Sequence, residues 1–182
     1  MSAEKRFASL NWSVLIADKC DSALVDGLRS WGVEVVEAFG SSEEKLIELA
    51  PKHDVIVVRS ATKITRPIIE AGKKGSLKII GRAGVGIDNI DCEAAKEVGV
   101  KVVNTPDANT LSAAEHTCAL MMALSRHVVQ AGASMTRGEW NRGAFTGCEL
   151  NGKTLGVVGL GRVGREVAKR MGAFNMKLVI SF

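Results

Sequence analysis

Tyrosine is absent from the sequence and aromatic residues make up only 4% of it, which leaves little from which to build a base-stacking platform for single-stranded nucleic acid. Lys and Arg are spread along the chain with no block of five or six, so the net charge of +4 and the pI near 9.0 read as a solvated basic surface suited to an anionic small molecule, not to nucleic acid. The four cysteines, Cys20, Cys92, Cys118 and Cys148, lie 26 or more residues apart and form no C-x-x-C pair; inert thiols in a reducing compartment are the expectation. His116 and Cys118 occupy i and i+2 positions, which point apart on a helix and hold no metal. Long hydrophobic runs are also missing. "DVIVV" and "LGVVGLG" fall far short of the roughly 20 residues that span a bilayer, and "MSAEKRFASLNW" lacks the apolar core of a signal. A cytoplasmic protein is expected, with no membrane and no nucleic-acid partner. After Glu166 the chain contains no carboxylate at all.

Strand and helix patterns alternate from the start. "SVLIAD" (13–18), "VEVVEA" (33–38), "DVIVVRS" (54–60), "LKIIGR" (77–82) and "VKVVN" (100–104) are short β-branched runs separated by helix-length stretches. Those stretches open on plausible caps: Asp21, Ser42, Thr65 with Pro67 just inside, and Asp88 or Asp91. The alternation predicts a parallel, doubly wound α/β sheet. A different pattern follows "NTPDANT": a long helix over 111–131 with Ala, Met and Leu on several faces, expected to be buried between domains or subunits. Residues 137–154 read as a connecting loop. The division is expected at 1–106 and 107–182.

The last segment carries the most demanding motif. In "LGVVGLGRVGREV" (155–167) an apolar strand breaks into Gly159, Gly161 and Gly164 and becomes helix-forming. In that context the first glycine permits a tight turn, the second lets the backbone approach a pyrophosphate, and the third packs helix on strand. Free N–H groups at the start of the helix face the anion. A further strand is read over 177–181. The carboxylate that would hold a ribose about 20 residues on is lacking.

"VVRSATKIT", "IIGRAGVGIDNID", "VVNTPDANTLSAAEHT" and "ELNGKTLGVVGLGRVGREVAKRM" occur in this order, and the chain that carries them resembles the NAD-dependent D-2-hydroxyacid dehydrogenases, in particular the branch that acts on 3-phosphoglycerate. The resemblance implies a flavodoxin-like parallel-sheet substrate domain followed by the first β-α-β unit of a Rossmann NAD-binding domain. It implies oxidation of 3-phosphoglycerate to 3-phosphohydroxypyruvate, the first step of the phosphorylated route to serine, and homo-oligomers formed through the nucleotide domain. Glycerate- or lactate-type relatives and NAD-responsive binding modules of the same fold are the alternatives.

Residue by residue, the resemblance places Arg59, Ser60, Arg82 and Arg142 on the substrate phosphate and the turn Gly84, Val85, Gly86 on its carboxylate. A phosphorylated hydroxy acid needs such cationic forks and converging N–H groups. NAD falls to Gly159, Gly161, Arg162, Val163, Gly164 and, through its backbone, Val85, where some relatives have a threonine. The family's carboxylate-holding Arg and its His–Glu pair lie beyond residue 182, and Phe182 takes the place of the ribose-binding Asp. No catalytic residue is therefore assigned: His53, His116 and His127 fall in motifs the family does not use for proton transfer. A chain cut after its first β-α-β unit, without turnover of its own, is the expectation.

Overall fold

The computed structural model describes residues 11–181; residues 1–10 and the expectation attached to Phe182 lie outside them. The described chain divides between Pro106 and Asp107 into two compact units.

In the first unit the five apolar runs form strands β1 (Ser13–Ile16), β2 (Glu34–Glu37), β3 (Val55–Val58), β4 (Ile79–Arg82) and β5 (Lys101–Asn104). All pair in parallel, in the order β2-β1-β3-β4-β5, the parallel sheet expected from the alternation and the flavodoxin-like order implied by the resemblance. Because successive side chains of a strand face opposite ways, β1 serves two cores: Leu15 packs with Ile56, Val58, Ile68 and Ile80, and Val14 and Ile16 pack with Val25 and Val33. The edge strands carry charge, with Glu34 and Glu37 on β2 and Lys101 on β5, which discourages further strand addition.

The connecting helices are α1 (Ser22–Ser30), α2 (Glu43–Leu49), α3 (Arg66–Lys73) and α4 (Cys92–Glu97). Three of their caps close as expected: the side chains of Asp21, Ser42 and Asp91 accept from the N–H groups of Ala23, Lys45 and Ala94. Asp91, not Asp88, caps α4. Thr65 precedes α3 without a side-chain cap bond; its hydroxyl donates to Glu43 instead.

The second unit begins with α5 (Thr110–Ser125) and α6 (Val128–Thr136). A single helix over 111–131 is thus corrected to two, and the cause lies in the returning loop. Cys148 N–H donates to Ser125 O at 2.9 Å, taking the carbonyl that would continue the helix. Gly147 approaches so closely that a Cβ there would lie 2.2 Å from that oxygen. The chain breaks at His127, whose φ is +50°. Leu120, Leu124, Val128 and Val129 are exposed, so the apolar surface of this segment is largely uncovered in the chain.

Strands β6 (Thr154–Val158) and β7 (Lys177–Ser181) pair in parallel around α7 (Arg162–Gly172), the strand–helix–strand order read from the glycine motif. Ala114 and Cys118 of α5 pack on Val167 and Met171 of α7. One face of this small sheet stays open: Val158 is 89% exposed, and every residue of β7 is exposed. No helix among the described residues is long and apolar enough to cross a membrane.

Candidate functional site

Two loops leave neighbouring strands of the first unit at their carboxyl ends, residues 59–65 after β3 and 83–91 after β4. Val58 pairs with Arg82 across the sheet, so Arg59 and Ser60 directly follow the partner of Arg82. Open parallel sheets place ligands at this end of their strands.

Side chains hold these loops in place. The buried carboxylate of Asp18, one residue beyond the apolar run of β1, accepts from Arg59 N–H at 2.7 Å, Thr62 N–H at 3.2 Å and the Thr62 hydroxyl at 2.6 Å. Burial alone pushes this carboxyl up, but the hydrogen bonds from Thr62 and from the backbone of Arg59 and Ala61 outweigh it and hold it below the usual range. From the other side Asn89 donates to Arg59 O at 2.8 Å and Thr62 O at 2.7 Å. A backbone bridge between Ile64 and Ile90 completes the link, with Ile64 N–H on Asn89 O and Asp91 N–H on Ile64 O. Asn104 fixes the glycine turn by donating to Val85 O at 2.6 Å.

Arg82 folds over that turn. A Cβ on Gly84 would lie 2.0 Å from the Arg82 guanidinium, so any side chain there would displace it. The Nε of Arg82 is buried without a hydrogen-bond partner among the described residues, a state that costs roughly 1–3 kcal/mol until an acceptor arrives. Of the three turn N–H groups expected to face a carboxylate, Gly84's is already used, donating to Arg82 O at 2.8 Å. The reason is the tightness of the turn. The N–H groups of Val85 and Gly86 have no partner among the described residues. Arg59, Ser60, Arg82, Gly84, Val85 and Gly86 are brought to one end of the sheet. The Arg59 side chain turns to Lys19 O at 3.3 Å.

Arg142 belongs to the second unit, where it lines a cleft of about 210 Å³ with Trp140 and Phe145. The glycine motif is in the same unit. Gly159 has φ +87°, a left-handed conformation that favours glycine, and its N–H donates to Ser181 O at 2.8 Å. Gly161 stands before α7 with open space around it, and a Cβ on Gly164 would lie 2.3 Å from Gly159 O. The first turn of α7 has no side-chain cap and no acidic residue, so its N–H groups remain available to an anion. Arg162 Nε is engaged with Asp107 at 2.6 Å, and Val163 packs into the α5–α7 core, so Val163 offers the motif its backbone only. This cradle fits a pyrophosphate.

None of the three histidines belongs to these loops. His53, without an identifiable partner in the sequence, is buried and shares a 2.6 Å hydrogen bond with Ser13. Burial is the main cause that lowers its pKa. No group of three or more His, Cys, Asp and Glu able to hold a metal occurs among the described residues. The residues that sequence reasoning missed are Asp18, Thr62, Asn89 and Asn104; no local pattern marks them, because their partners lie far away in the sequence.

A flavodoxin-like parallel sheet with polar loops at its carboxyl end, followed by a β-α-β unit with a glycine cradle, defines a dinucleotide-dependent class of α/β protein. The family model described as "D-isomer specific 2-hydroxyacid dehydrogenase, catalytic domain" matches residues 14–176, and the chain belongs to that family. It is 51% identical to the D-3-phosphoglycerate dehydrogenase of Rattus norvegicus over 95% of its own length and 32% of that protein's. Among solved structures, the TT0316 protein of Thermus thermophilus superposes with a TM-score of 0.83 at 34% identity, covering 92% of this chain and 55% of that one. The NAD-dependent formate dehydrogenase of Staphylococcus aureus, solved in complex with NAD, gives 0.77 at 30% identity over 92% of this chain and 55% of that one. The chain therefore spans about a third of the length of the curated relatives it matches.

Proposed function

We propose that this chain carries the substrate loops and the pyrophosphate cradle of an NAD-dependent 3-phosphoglycerate dehydrogenase of the cytoplasm. The reaction is oxidation of 3-phosphoglycerate to 3-phosphohydroxypyruvate on the route to serine. The observation that carries the reading is the unsatisfied guanidinium N–H of Arg82 beside the unpaired N–H groups of Val85 and Gly86. These donors suit a ligand with both phosphate and carboxylate.

In this reading Arg59, Ser60 and Arg82 hold the phosphate, Val85 and Gly86 hold the carboxylate, and Asp18 and Asn89 keep the loops in register. Arg142 enters on the resemblance alone. Gly159, Gly161, Arg162, Val163 and Gly164 hold the pyrophosphate of NAD through backbone N–H groups and close approach. The bound nicotinamide would accept the hydride from the carbon bearing the hydroxyl. None of the three histidines is assigned to proton transfer. The names of the relatives support the substrate, and the formate dehydrogenase–NAD complex supports the cofactor. The exposed apolar residues of α5 and α6, such as Leu124 and Val129, suit association between copies.

Calorimetric titration of 3-phosphoglycerate into the wild type and Arg82→Ala tests the reading. Losing one charge-assisted contact of about 1.5–3 kcal/mol weakens binding by roughly 10- to 150-fold. Equal affinities would remove Arg82 from the site.

A further inference from the structure

In the order β2-β1-β3-β4-β5 the sheet has its switch point at β1, which leads to β2 on one side and borders β3 on the other. Loops diverge from such a point, and the crevice they leave is the usual ligand site of open α/β sheets. The substrate loops described above follow β3 and β4, one strand further along. The switch-point crevice is nevertheless present: a cleft of about 580 Å³ opens between the segments after β1, β2 and β3, within the roughly 300–1,000 Å³ common for small-molecule sites.

Its charges are unequally committed. Asp18 on the wall is saturated by Arg59 and Thr62, and Glu43 accepts from the Thr65 hydroxyl. Lys19 and Lys63 also line the cleft, and their ammonium groups have no partner among the described residues. Phe39, 45% exposed, and Leu46 supply an apolar wall. Two uncommitted cations beside an aromatic face select an anionic head on a flat apolar body. Arg82 and the turn Gly84–Gly86 do not line this cleft.

We propose that the switch-point crevice is a second ligand site, taking a small aryl phosphate or aryl carboxylate whose head meets Lys19 and Lys63 and whose ring lies on Phe39. Phenyl phosphate is the probe, titrated at low ionic strength into the full 182-residue chain, the Lys19→Ala/Lys63→Ala double variant, Phe39→Ala and Arg82→Ala. Both lysines are exposed, so the double variant is expected to keep the wild-type melting temperature. Phenyl phosphate should bind it about tenfold or more weakly and should bind Arg82→Ala as it binds the wild type. Phe39→Ala should weaken phenyl phosphate and leave inorganic phosphate unchanged. No binding to the wild type at millimolar concentration, unaltered binding to the double variant, or loss confined to Arg82→Ala would each overturn the proposal.

Discussion

Asp18, Asn89 and Asn104 fix the loops after β3 and β4 through side-chain hydrogen bonds of 2.6 to 3.2 Å, whereas the turn after β6 is shaped by Gly159 and Gly164, whose lack of side chains lets the backbone close on itself. The surroundings differ as well. Ile56 and Ile80 of the five-stranded sheet are fully buried, while β7 is exposed along its whole length. A loop can thus be held in place by polar clamps on a buried sheet, or shaped by backbone geometry on a thin one. The two designs fail in different ways when altered.

The largest expected difference concerns the cores. Ile80→Ala removes a fully buried side chain and should cost about 2–5 kcal/mol. Ile180→Ala, on the exposed strand β7, should stay within about 0.5 kcal/mol. Chemical denaturation followed by circular dichroism measures both. Equal costs would mean that the two sheets are equally well covered, and the contrast would fall.

Next comes the glycine cradle. Gly164→Ala brings a Cβ to 2.3 Å from a backbone oxygen, which cannot yield cheaply, so a loss of roughly 1–3 kcal/mol is expected. Gly161→Ala meets open space and should leave stability unchanged while weakening NAD, since the added methyl stands where the pyrophosphate would approach. Thermal melts of the two variants, together with NAD titration, separate the steric role from the ligand role. A destabilised Gly161→Ala would show that their roles have been assigned wrongly.

Asn89→Ala is expected to act on the clamp. It removes both donors that tie residues 59–62 to the neighbouring loop, at about 0.5–1.5 kcal/mol per hydrogen bond. Affinity for 3-phosphoglycerate should fall with it, while NAD binding stays as it was. Parallel changes in both ligands would mean that the variant merely loosens the whole chain.

What could be read from the sequence follows the same division. Backbone-driven features have local signatures: "VVGLGRVG" announces its turn and helix, the apolar runs announce β1 to β5, and Asp21, Ser42 and Asp91 announce caps. The clamps have none, because Asp18 meets Thr62 across 44 positions and Asn89 meets Arg59 across 30, distances over which a single sequence carries no register. The break at His127 was hidden for the same reason, since Cys148 takes the Ser125 carbonyl from a distant loop. Pairing of Gly84 N–H with Arg82 O was equally out of reach, as the glycines show that a turn is present but not how tightly it closes.

The smallest effect expected is on pH. Burial lowers the pKa of His53, so the stability it contributes is present above its unfolded value of about 6.5 and is lost as pH falls toward the lower folded value. Asp18 and Asp54 are also lowered. Burial opposes this in both, outweighed in Asp54 chiefly by the hydrogen bond from Lys78. Their contribution is present above about 3.9 and is lost as pH falls through their folded values. The melting temperature of the wild type should drop modestly between pH 7 and 5.5, and that of His53→Gln should drop less. An equal slope would take His53 out of the account.

The most direct test of the claim that 3-phosphoglycerate is held by the clamped loops of the first unit is amide hydrogen exchange of the 182-residue chain with and without this ligand. Residues 59–62 and 83–89 should exchange more slowly when it is added, while 154–181, expected to exchange faster from the outset because β7 is exposed, should remain unchanged. Protection confined to 154–181, or no change in either loop at saturating ligand, would contradict the account.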